Sequence, residues 1–90
     1  DYVFVPNAFT PNDDGHNDIL YVYSEMVRDI FFAIYDRWGK MVFSTKDITK
    51  GWDGTYKNKE LDPAVFVYYL EVTCWDYSNF SKKGNITLLR

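Results

Sequence analysis

VFVYYLEVTCW, residues 65–75, is the stretch whose reading decides the fold. Phe66, Tyr68, Leu70, Val72 and Cys74 fall on one side of an alternation, and Val65, Val67, Tyr69, Glu71 and Thr73 on the other. A period of two is that of a β-strand, whose successive side chains leave opposite faces. Crowding by β-branched and aromatic residues suits a pleated, half-buried surface. The first set is therefore expected to face a core. The same rule applied to Gly84 to Arg90 buries Ile86 and Leu88 and turns Asn85 and Thr87 outward. Between the two runs Asp76 to Lys83 is polar and turn-prone, so the two strands are expected to pair as a hairpin.

Working toward the N-terminus, short apolar runs recur at spacings of about ten residues, separated by Gly, Pro, Asn and Asp. Strands are expected over Tyr2 to Val5, Ile19 to Tyr23, Ile30 to Tyr35 and Lys40 to Ser44, with a short one near Thr55 to Lys57. Ile30 to Tyr35 is apolar on both faces, as a central strand covered on both sides would be. Asp36-Arg37-Trp38-Gly39 suits a hairpin turn. Ser24 to Asp29 reads as a helical turn. No helical period runs longer than two turns and no repeat occurs, so the sequence predicts an all-β fold. Its expected form is a small immunoglobulin-like antiparallel β-sandwich of about seven strands.

Ninety residues make one domain, 1–90, and a chain of this length buries only about 60 to 65% of the surface its unfolded form exposes. Aromatics at 20% supply much of that thin core, and 26% charged residues at a net charge of −3 fit a folded chain rather than a disordered one. Apart from Lys82-Lys83 there is no basic stripe, so nucleic acid is not an expected partner. The longest apolar run, Ala64 to Leu70, falls far short of the roughly 20 residues of a membrane-spanning helix, and no leader-like segment opens the sequence. The single cysteine, Cys74, excludes an internal disulfide.

Chemistry-bearing residues are sparse. His16 is the one histidine; it reads as a turn residue, and Cys74 as a buried structural thiol, so a nucleophile-base pair is not expected. Carboxylates at Asp13, Asp14, Asp18, Asp36, Asp53, Glu60 and Asp62 form no ordered pair in the sequence. Trp38, Trp52 and Trp75 raise a sugar-stacking reading. Against it, Trp38 and Trp52 adjoin Gly39 and Gly51 in turns, where a large ring is expected to fold back and cap the core.

TPNDDGHNDIL, residues 10–20, crowds three aspartates and two asparagines around Gly15. Laid over an EF-hand loop, Asn12, Asp14 and Asp18 fall on ligand positions, but Thr10 stands at the first ligand and Tyr21 at the closing glutamate. An EF-hand is excluded, whereas a looser calcium cage from Asn12, Asp14 and Asp18 stays open. The structural alternative needs no metal: Asn12, Asp14 and Asp18 bond backbone amides, and Gly15 takes a positive φ. Trp38-Gly39 and Trp52-Asp53-Gly54 read as further structural turns.

Four blocks, PNAFTPNDDGHNDIL (6–20), IYDRWGKMVF (34–43), GWDGTYKNKELDPAVFVYYLEV (51–72) and GNITLLR (84–90), stand in order and cover nearly the whole chain. In sequence and spacing they resemble the gliding-motility-associated C-terminal domain, also described as the type B sorting domain of the type IX secretion system. The family usually has glycine where this chain has Asp13, Asn58 and Ala64. Asn58 suits a left-handed turn position, whereas Asp13 and Ala64 ask for ordinary backbone angles.

The resemblance implies a non-catalytic sorting and docking domain at the C-terminus of a larger secreted or surface protein, often an adhesin. It implies recognition by the type IX machinery, including a PorP-like outer-membrane partner. It also implies delivery of an N-terminal passenger through the periplasm and outer membrane to the cell surface. No cofactor is implied, with calcium left open as above. Leu88, Leu89 and Arg90 are candidate docking residues; equally, the leucines finish the sheet and Arg90 is solvated. The alternative function is an adhesive or carbohydrate-binding β-sandwich, calcium-stiffened through residues 12–18.

Overall fold

The computed structural model describes residues 3–12, 15 and 18–90. Tyr2, Asp13, Asp14 and His16, named above, lie outside the described residues. The described chain has seven strands and no helix: β1 (Ala8–Phe9), β2 (Val27–Tyr35), β3 (Met41–Thr45), β4 (Thr55–Tyr56), β5 (Lys59–Glu60), β6 (Ala64–Cys74) and β7 (Asn79–Leu88). Five form one sheet in the order β1-β7-β6-β2-β3, and β4 and β5 form a small second one. The sandwich-like all-β class is as the sequence predicts. One pairing departs from the antiparallel rule, since β1 runs parallel to β7 with Ala8 opposite Thr87 and Phe9 opposite Leu88.

β6 is the axis of the sheet, flanked by antiparallel β2 and β7, so its alternation sets the inside for both neighbours. Phe66, Tyr68, Leu70, Val72 and Cys74 are all buried, as are Ile30, Phe32 and Ile34 of β2 and Ile86 and Leu88 of β7. Over this face lies a second layer of extended segments, whose Val5, Leu20, Val22 and Trp52 complete the same core cluster. On the outer face of β2, Ala33 is buried and Phe31 and Tyr35 are half-buried, which agrees with a strand covered on both sides.

The second layer is looser than the sequence predicts. Among the described residues, Val3 to Val5 and Ile19 to Tyr23 contribute only isolated bridges, Phe4 with Tyr23 and Leu20 with Trp52. Their neighbours are committed to turns, where Asp and Ser side chains offer backbone amides a competing partner. Asp18, directly before Ile19, is used in this way, and so is Asp53, directly after Trp52. Within this layer the two segments approach closely at Gly51, where a Cβ would come within 2.4 Å of Ile19 Cγ2. β4 and β5 join through Lys57 and Asn58, both at positive φ (53° and 67°), the geometry of a type I′ hairpin. Ala64 simply opens β6.

Two boundaries move. Ser24 to Asp29 is no helical turn; β2 begins at Val27, and Val27 and Asp29 pair with Cys74 and Thr73 across an irregularity in register. The ladder offered by β6 wins over a local turn. β7 begins at Asn79, five residues before the Gly84 expected from sequence, because the hairpin turn ends at Ser78: the Cys74 amide bonds the Ser78 carbonyl (2.8 Å), and the Asp76 carboxylate accepts the Ser78 amide (2.9 Å). Asn79 to Lys83 looked like loop because an edge strand tolerates polar and charged residues.

Candidate functional site

Among the described residues of the opening motif, the Asp18 carboxylate gathers the backbone. Asp18 Oδ1 accepts the Asn12 amide (3.0 Å) and Oδ2 accepts the Gly15 amide (2.8 Å), while Gly15 takes φ +81°. Asn12 and Asp18, two of the three residues named for calcium, therefore belong to this turn; Asp14 lies outside the described residues. Among the described residues no group of three or more His, Cys, Asp or Glu side chains gathers around a common point.

The same device recurs along the chain. Asp47, Asp53 and Asp76 each accept the amide and the hydroxyl of the Thr or Ser two residues on, Thr49, Thr55 and Ser78. The hydroxyl donors of Thr49 and Ser78, and secondarily their amides, hold the Asp47 and Asp76 carboxyls below the usual carboxylate range. Asp36 accepts the amides of Trp38 and Lys40 (2.9 Å each), and Gly39 stands at φ +84°. Asp36 and Asp53 are thereby used in holding turns.

The three tryptophans separate. Trp52 is 1% exposed, packed against Phe9 (ring centroids 5.4 Å apart) and Phe66 (5.1 Å), with its Nε1 donating to the Thr55 carbonyl (3.0 Å). It caps the core as expected. Trp38 does not: it is 80% exposed, because the hairpin tip lies beyond the sheet, and the Arg37 guanidinium lies over its ring, 5.1 Å from the centroid. Trp75, at the β6–β7 turn, is 64% exposed. Cys74 is buried beside it in β6.

At the far end of β7, Leu88 is buried and Leu89 and Arg90 are exposed, but the Arg90 guanidinium is engaged by the loops beside it. Its Nε donates to the Leu61 carbonyl (2.7 Å), Nη1 to the Pro11 carbonyl (3.2 Å) and Nη2 to the Gly54 carbonyl (3.0 Å), with Glu60 Oε2 at 3.8 Å from Nη1. The side chain is only 20% exposed. A planar fork of five donors is the side chain able to reach three carbonyls at once. Thus the opening motif, the Trp52-Asp53-Gly54 turn and the segment before β6, far apart in sequence, meet around one guanidinium. Gly54, at φ +83°, is part of the fit: a Cβ there would stand 3.0 Å from Pro11 Cγ and 3.2 Å from Arg90 Nη2. The sequence carries no signal for this cluster, since backbone carbonyls are common to every residue.

Comparison with known proteins bears on the whole of this arrangement. The CHU_C type IX secretion signal domain matches residues 3–88. CopC from Methylosinus trichosporium OB3b is similar in structure at a TM-score of 0.62, with 16% sequence identity over 97% of this chain and 93% of that one, a likeness of fold alone. No curated protein sequence matches the chain. The family match takes in the first three sequence blocks, the fourth as far as Leu88, and both layers of the sandwich. The chain belongs to the type IX secretion signal domain family.

Proposed function

We propose that the domain acts as a folded address without catalytic activity, read by the type IX machinery so that a covalently attached N-terminal passenger crosses the outer membrane and reaches the cell surface. The family match over residues 3–88 carries this reading. The geometry supports it in one respect: the aspartates at 18, 36, 47, 53 and 76 accept turn amides, so the loops are shaped to be gripped rather than to react. A PorP-like outer-membrane protein is the partner in this reading, and exposed Leu89 beside the Arg90 cluster is the docking point within Leu88 to Arg90. In this reading Asp18 is spent on the Asn12 and Gly15 amides, and no calcium is called for.

Removing residues 1–90 from a passenger in a type IX-competent cell tests the export reading. The expected result is passenger retained in the periplasm; undiminished secretion overturns it.

A second reading, an adhesive or carbohydrate-binding sandwich, is favoured by one observation, the exposure of Trp38 and Trp75. Its test belongs to these residues and not to buried Trp52. Glycan binding lost on Trp38→Ala or Trp75→Ala, with folding kept, would support it, and absence of glycan binding by the unaltered domain would remove it.

A further inference from the structure

We propose that the open edge of β7, from Asn79 to Asn85, is a docking site for an extended, acidic segment of a partner protein, which adds to the main sheet as a further strand.

The backbone directions follow from the register. β6 and β7 pair without a shift from Ala64 opposite Leu88 to Thr73 opposite Asn79. In such a ladder alternate residues turn their N–H and C=O groups toward the partner and the rest turn them away. The amides of Thr87 and Leu89 donate away from β6, to the Asn7 and Phe9 carbonyls. Parity then assigns the same outward direction to Asn79, Ser81, Lys83 and Asn85, all of which are exposed. Among the described residues nothing pairs with their outward groups, because β1 reaches only Thr87 and Leu88. Continued backward in register, β1 would set Pro6 opposite Asn85. The ladder bonds at that point would run from the Asn7 amide to the Asn85 carbonyl and from the Asn85 amide to the Val5 carbonyl, and among the described residues neither is formed. What remains is an edge of seven residues, about 20 Å long, in line with a strand position that β1 already occupies at its other end.

Charge decides the occupant. Residues 79–90 contain no acid, while Lys82 and Lys83 stand side by side on the edge in a chain of net charge −3. Their side chains leave opposite faces, Lys83 with the outer-face set and Lys82 opposite Leu70, so the edge is flanked by a cation above and below. Lysines on an edge discourage pairing with a second copy, whose own Lys82 and Lys83 would be brought alongside. The same two charges favour an extended segment carrying Asp or Glu, with main-chain bonds giving affinity and the lysines giving selectivity.

The test uses the isotope-labelled 90-residue chain and a short peptide of alternating Thr and Glu, with a Thr-Lys peptide and a backbone-methylated Thr-Glu peptide as comparators. The expected result is slowing of amide exchange at Ser81, Lys83 and Asn85 by about tenfold or more with the Thr-Glu peptide alone. Ser81→Pro should abolish the effect while leaving the fold intact, since its N–H serves no bond within the sheet. Lys82→Glu with Lys83→Glu, which leaves the backbone unaltered, should transfer the preference to the Thr-Lys peptide. No slowing with the Thr-Glu peptide, equal slowing with Thr-Lys, or slowing that survives either set of substitutions overturns the proposal. Concentration-dependent protection of the same amides without peptide would assign the edge to a second copy and also overturn it.

Discussion

Trp38 and Trp52 stand in the same local setting, an indole beside a glycine in a polar turn, and have opposite fates. Trp52 lies between Phe9 and Phe66 at the centre of the core, so Trp52→Ala should cost about 3–5 kcal/mol in denaturant unfolding. Trp38 projects from the β2–β3 tip, and Trp38→Ala should change stability by no more than about 0.5 kcal/mol. The sequence could not separate them, because burial depends on what the other layer places over the turn. Arg90 gives a sharper case. Read alone, it was solvated or offered to a partner; its guanidinium is in fact spent on Leu61, Pro11 and Gly54. Arg90→Lys keeps the charge but not the fork and should lose about 1–2 kcal/mol, as measured by chemical denaturation, with water softening the loss at a site that is partly open. Full stability in that variant would show that the three carbonyls do not need the arginine.

At the scale of the element, β6 was legible residue by residue because its alternation is strict and it is paired on one side from Ala64 to Thr73 and on the other from Val67 to Cys74. β7 was legible only from Gly84 onward, since in its first half Phe80 is the single apolar residue among polar edge residues and one residue marks no hydrophobic period. β1, two residues long and parallel, leaves no pattern at all. Gly84 carries information that sequence reading assigned merely to a strand start: it faces Tyr68, and a Cβ would fall 2.7 Å from the ring. Gly84→Val should push the ring out of place and cost about 1–3 kcal/mol, again read by denaturation. The turns set a pH dependence. Asp47 and Asp76 have carboxyls lowered by their hydroxyl and amide donors, so their contribution is present above the unfolded value near 3.8 and is lost as pH falls through the folded values below it. Unfolding monitored from pH 6 to pH 2 should show stability falling below about pH 4, and Asp47→Asn with Asp76→Asn should flatten that fall. At the alkaline end, the Tyr69 phenol is raised chiefly by its hydrogen bond to Glu71 and the Tyr68 phenol by burial. Their contribution is whole below pH 10 and is lost as pH rises through the folded values above it.

Over the whole molecule, the sandwich is a frame that brings its informative turns to defined places: the 10–18 turn and the Trp52-Asp53-Gly54 turn to Arg90, and the β2–β3 tip outward with Trp38. The four sequence blocks could be ordered along the chain before their contacts were known, which is why the family was legible and the Arg90 cluster was not. Order survives in one dimension, whereas the meeting of Pro11, Gly54 and Leu61 exists only after folding. A domain built in this way, with carboxylates engaged in turns and the 79–85 edge of β7 unpaired among the described residues, is suited to being recognised. The most direct measurement is the distribution of a passenger between periplasm and cell surface with residues 1–90 present and removed. Surface delivery with the domain and periplasmic retention without it is the expected result; passenger reaching the surface equally well in both cases would contradict the address function.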